Sequence, residues 1–191
     1  MALLAKANQS IEFKFNEEKA TQAALYLLSK SNGNMEYIRL IKLLYLADKK
    51  ALLDSGRSIT TDKFVSMKYG PVVSQVYDHI KNPDNGYWSQ HIQVSNEADV
   101  KIIKDTELLK LSPYEESILD EVYEEFKDIE TWGKNGLIEY THSLPEWDKK
   151  AEELNTSIPI SLATVFRQKI ENEDVINSLL EEIKTLSNAK Y

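Results

Sequence analysis

Ile38-Arg39-Leu40-Ile41-Lys42-Leu43-Leu44-Tyr45-Leu46-Ala47-Asp48 is the stretch on which the fold turns. At 100° per residue its apolar side chains cover most of the circumference of a helix. A helix apolar nearly all round belongs in the middle of a core, so the segment from about Met35 to Leu53, stopped by Gly56, is predicted to be the spine of the fold. Lys42, Tyr45 and Asp48 interrupt it at i, i+3 and i+6. Lys42 and Tyr45 share a face and Asp48 lies about 240° from Lys42. Two readings follow. These residues form a polar edge for a partner, or Leu43, Leu44 and Ala47 are core and Asp48 bonds a nearby loop.

Outward from this spine the periodicity stays mostly helical. Asn16 is placed to cap a first helix, with Glu17 and Glu18 facing the positive end of its dipole. Ala20, Ala23, Ala24, Leu27 and Leu28 form its buried stripe, and Asn32-Gly33-Asn34 ends it. Phe64–Lys68 alternates and reads as a short strand. Pro71 is expected to open a third helix carrying Val72, Val73, Val76, Tyr77 and Ile80. Tyr87–Val94 and Val100–Ile103 are expected to pair as a hairpin. Ser112-Pro113-Tyr114-Glu115 combines a capping box with proline in the first turn. Further helices are expected from Thr131 to Tyr140, at Pro145-Glu146-Trp147, from Ser161 to Gln168, and from Glu173 to Leu186. The predicted class is mainly α (α+β): one compact helical domain around a buried central helix, with a small antiparallel hairpin.

The chain has 191 residues, 23 Lys+Arg against 31 Asp+Glu, a net charge of −8, and no cysteine. The missing cysteines exclude disulfides, thiolate metal sites and a thiol nucleophile. The longest unbroken apolar run, Ala23–Leu28, is far short of the roughly 20 residues that cross a bilayer. Met1–Lys6 is too short for a secretory signal. A cytoplasmic protein without membrane association is expected. An acidic chain with three arginines (Arg39, Arg57, Arg167) disfavours nucleic acid as a partner. Phosphate-binding glycine motifs and a nucleophile elbow are absent. His79, His91 and His142 show no metal-ligand spacing and read as surface or structural residues. No cofactor, metal or catalytic residue is therefore predicted, although a hydrolase built on His142 and Glu146 remains a weaker alternative.

Lys42-Leu43-Leu44-Tyr45-Leu46-Ala47-Asp48, followed by Lys68-Tyr69-Gly70-Pro71-Val72-Val73 and by Thr141-His142-Ser143-Leu144-Pro145-Glu146-Trp147, resembles the Panacea (SocA-like) antitoxin domain, also met in phage-associated proteins. The resemblance spans residues 17–165, leaving an N-terminal extension (1–16) and a C-terminal amphipathic helix (166–191). It implies a helix-rich, non-enzymatic protein that neutralises a cognate protein toxin, encoded by a neighbouring gene, through direct binding. Delivery of the toxin to a protease, or DNA-binding autoregulation of the operon, are the alternatives.

Candidate contact residues come from the chemistry of exposed edges. Lys42, Tyr45, Lys68 and Tyr69 belong to the motifs. Tyr77 and Trp88 would supply aromatic anchors. Glu121, Glu124 and Asp128 lie in residues 104–130, which hold three lysines against ten carboxylates. That surface either steers a basic partner or serves solubility. Val175, Ile176, Leu179, Leu180, Ile183 and Leu186 form a stripe that either packs on the domain or docks a partner or a second copy.

Overall fold

A computed structural model describes residues 14–96 and 98–188 of the chain. The 1–13 portion of the expected extension lies outside the described residues, as do the side chain of Leu186 and residue 97 of the hairpin loop.

Helix α1 (Glu17–Lys30) is capped by the Asn16 side chain, which accepts the Lys19 N–H at 3.0 Å. Strand β1 (Asn34–Glu36) leads into α2 (Tyr37–Ser55), closed by Gly56 in the left-handed region at φ 73°. Thirteen of the nineteen residues of α2 are buried, so it is the central helix that its apolar circumference predicts. Its Arg39 donates to the carbonyls of Phe126, Lys127 and Ile129, satisfying the end of a later helix.

Strands β2 (Phe64–Met67) and β3 (Gly70–Val73) follow, then α3 (Ser74–Lys81) and α4 (Tyr87–His91). Here the structure corrects the expected helix start at Pro71. Val65 faces Val72 and Ser66 faces Pro71 in an antiparallel ladder, and Val72 and Val73 are buried as strand residues. Pro71 fits because β3 is an edge strand, where a missing N–H is tolerated. The start of α3 is instead satisfied from a distance: Asp62 accepts the N–H groups of Gln75 and Val76, each at 2.9 Å.

Strands β4 (Ile92–Ser95) and β5 (Asp99–Ile102) form the expected hairpin, but Tyr87–His91 is helical and β1 adds a third strand. Helix α5 (Pro113–Phe126) has both bonds of the predicted capping box. Then come α6 (Leu137–His142), α7 (Lys150–Glu153), β6 (Ile158–Pro159), α8 (Leu162–Phe166) and α9 (Glu173–Asn188). The helix expected from Thr131 begins only at Leu137, because Gly133 and Asn135 take positive φ. Pro145-Glu146-Trp147 is a turn, not a helix.

The described strands make two antiparallel three-stranded sheets, β1-β5-β4 and β3-β2-β6. One hydrophobic cluster runs from Ala20 in α1 to Ile183 in α9. The apolar stripe of α9 contributes Ile176 and Ile183 to it, so this face is spent on the domain itself. No described helix is long and apolar enough to cross a membrane.

Candidate functional site

The three motif segments, far apart in sequence, meet on one side of α2. Lys42, Tyr45 and Lys49 project from one face because residues three, four and seven apart align. Lys42 is fully buried, and its ammonium nitrogen donates to the Pro71 carbonyl at 2.7 Å. Burial holds its pKa well below the ordinary lysine value. Tyr45, also fully buried, donates its hydroxyl to Glu146 Oε1. Lys49 pairs with the same oxygen at 2.7 Å, and Gln168 donates to Glu146 Oε2 at 2.7 Å. Burial and the Glu146 carboxylate push the Tyr45 phenol well above its usual range. Glu146 is thus a buried anion with three donors around it, as a charge excluded from water requires.

Asp48 points elsewhere, as its angular position dictates. It accepts the N–H groups of Ile59 (2.8 Å) and Thr60 (2.9 Å) and the Thr60 hydroxyl. Burial raises its pKa to about 7 despite these donors. Asp62, raised to about 6 by burial, lies along the same connection.

The turn between β2 and β3 is clamped from several sides. Trp147 donates its indole N–H to the Met67 carbonyl at 3.1 Å, and His142 stacks on Trp147 with ring centres 3.9 Å apart. Burial, then the nearby Lys42, lower the His142 pKa. Gly70 has φ +96°, and a Cβ there would lie 2.7 Å from Thr141 Oγ1 and 2.8 Å from Lys42 Nζ. The position therefore demands glycine both for its torsion and for its space.

This clamped turn presents Lys68 and Tyr69 outward. Tyr69 is 41% exposed and meets the 48% exposed Trp132 edge-to-face, ring centres 5.3 Å apart. Lys68 lies over the Tyr69 ring at 5.2 Å. An exposed aromatic pair with one ring on a clamped turn can bury large area at small entropic cost.

The other candidate contact residues disperse. Lys42, Tyr45 and Trp88 are buried, so they offer no surface to a partner in this conformation. Tyr77 is half-buried against the core, with Lys81 over its ring. Glu121 pairs with Lys50 at 3.2 Å and Glu124 with Lys127 at 2.6 Å, while Asp128 is exposed. Lys19 and Lys30 pair with two further α5 carboxylates, Glu115 and Asp120. Much of the acidic face is therefore balanced by lysines of α1 and α2. Sequence reasoning missed Lys49 and Gln168 as partners of Glu146, since nothing local marks them. It also missed Trp132, an aromatic beside Gly133 whose exposure only the tertiary structure reveals.

A family model described as antitoxin SocA-like, Panacea domain, matches residues 40–148, more than half of the chain. The matched span holds Lys42, Tyr45, Asp48, the clamped turn and the Glu146–Trp147 segment. No curated protein and no solved structure matches the chain.

Proposed function

Because the chain belongs to the SocA-like antitoxin family by its Panacea domain, we propose that it is an antitoxin that neutralises a cognate protein toxin by direct binding and not by catalysis. The observation that carries this reading is the exposed Tyr69–Trp132 pair, in which Tyr69 sits on a turn held by the buried motif residues and Trp132 meets it from the connection between α5 and α6. The buried polar cluster acts as the mount: Lys42 fixes the Pro71 carbonyl, and Trp147 fixes that of Met67. The aromatic pair is the anchor, with Lys68 beside it, and the partly neutralised acidic face of α5 supplies a charged rim. Both proteins act in the cytoplasm, and the toxin is the product of the neighbouring gene.

Co-expression with the adjacent reading frame tests this. The frame alone should arrest growth, and the intact chain should restore it. Tyr69→Ala combined with Trp132→Ala should abolish protection and co-purification while thermal unfolding stays within a few degrees of the parent. A harmless neighbouring frame, or full protection by the double variant, would refute the reading.

A further inference from the structure

Away from the residues of this turn, three metal-ligating side chains from separate segments converge. Glu17 opens α1, His79 lies in α3, and Asp84 sits in the loop before α4. One ligand atom from each falls within 4.8 Å of the others. His79 Nδ1 is 3.8 Å from Asp84 Oδ2, too far for a hydrogen bond between them. At metal–ligand bonds of about 2.1 Å, two ligands on one ion are roughly 3.4 Å apart at a tetrahedral angle and about 4.2 Å apart at most. The His79–Asp84 separation lies inside that range, and the remaining pairs, within 4.8 Å, reach it when the side chains close on an ion.

Each side chain is already held from outside. Glu17 Oε1 accepts the Trp88 N–H at 2.8 Å, and Asp84 Oδ1 accepts the Gly86 N–H at 2.8 Å, leaving each carboxylate its second oxygen. The His79 ring stacks with Phe15, 5.7 Å away at 27°, and with Trp88, 6.3 Å away at 14°. Outer contacts of this kind orient ligands around an ion. Gly86 makes the convergence sterically feasible: a Cβ there would overlap Glu17 Oε1 and lie 2.8 Å from Asp84 Oδ1. Its backbone, at φ −71°, does not itself require glycine. Asp84 has its ion-pair contact with His79. Two carboxylates held together beside one imidazole want a cation.

We propose that Glu17, His79 and Asp84 bind one divalent transition-metal ion of the zinc or manganese class, tying the start of α1 to α3 and the loop before α4. One nitrogen and two carboxylate oxygens suit such an ion better than an all-oxygen magnesium site. The site lies outside the β2–β3 turn, so its test is independent of the antitoxin reading.

The full chain, stripped with a chelator, is titrated with Zn²⁺ and separately with Mg²⁺ by calorimetry. One Zn²⁺ should bind per chain, at least tenfold tighter than Mg²⁺, and raise the unfolding temperature. Glu17→Gln, His79→Gln and Asp84→Asn should each weaken Zn²⁺ by tenfold or more, as should Gly86→Ala through the displaced carboxylates. Substoichiometric Mn²⁺ should broaden the His79 ring resonances before those of His91 and His142, which locates the ion without any substitution. Absence of saturable Zn²⁺ binding up to about 1 mM, equal affinity for Mg²⁺, unchanged affinity in the three ligand variants, or broadening centred on another histidine would each overturn the assignment.

Discussion

Asp48→Asn should stabilise the protein above neutral pH and leave it nearly unchanged below about pH 4. The carboxyl is fully buried, and its pKa rises from 3.8 to about 7. In the unfolded chain it ionises near 4; in the folded chain it resists ionising until about pH 7. The stability attached to a raised carboxyl pKa is fully present below about pH 4, falls as pH rises through that interval, and stays lost above it. At about 1.36 kcal/mol per pH unit, the loss is on the order of 4 kcal/mol. Asparagine preserves the geometry: its oxygen accepts the Ile59 and Thr60 N–H groups, which already share Asp48 Oδ1, and its amide can donate to the Thr60 hydroxyl. Asp62, raised to about 6, keeps a similar slope between roughly pH 4 and 6 in both proteins. Urea unfolding at pH 5, 6.5 and 8 reads the effect. The variant should exceed the parent by about 1.6 kcal/mol at pH 5 and by about 4 kcal/mol at pH 8. Parallel stability curves, or a variant no more stable than the parent at pH 8, would show that the three donors outweigh desolvation.

Glu146→Ala strands Lys49, Tyr45 and Gln168 without their shared acceptor. Breaking a buried pair from one side costs about 3–5 kcal/mol, so a melting temperature lower by about 10 °C is expected; a fall under about 3 °C would contradict the buried-anion account. Gly70→Ala meets both a positive φ and two polar atoms under 3 Å away. Urea unfolding should show a loss above about 2 kcal/mol, and a neutral result would mean that the turn relaxes freely. Ser112→Ala removes the α5 cap and should cost about 1 kcal/mol in the same assay.

The motif segments were recognisable before any coordinates because their chemistry is unusual in place: charged groups inside an apolar helix, and Tyr-Gly-Pro after a short strand. Their meaning was not. A lysine at Lys42 reads equally as an exposed contact or a buried mount, since the choice depends on what covers that face of α2, and the cover comes from residues 66–71 and 141–147. Pro71 misled for a similar reason. Its fixed φ suits a first helical position and an edge strand alike, and the ladder with Ser66 decides between them.

The sequence by itself determined the elements whose signals are local. The central helix follows from apolar periodicity, the α1 and α5 starts from Asn16 and the Ser112–Glu115 box, and the α2 stop from Gly56. Each depends on residues within a turn or two of one another, so spacing alone suffices. Tertiary structure alone decided the long-range partners: Tyr45 with Glu146, Tyr69 with Trp132, Asp62 at the start of α3, and Glu17 with His79 and Asp84. Such meetings depend on how whole elements pack, and a side chain carries no local mark of a neighbour that the fold brings to it from dozens of residues away.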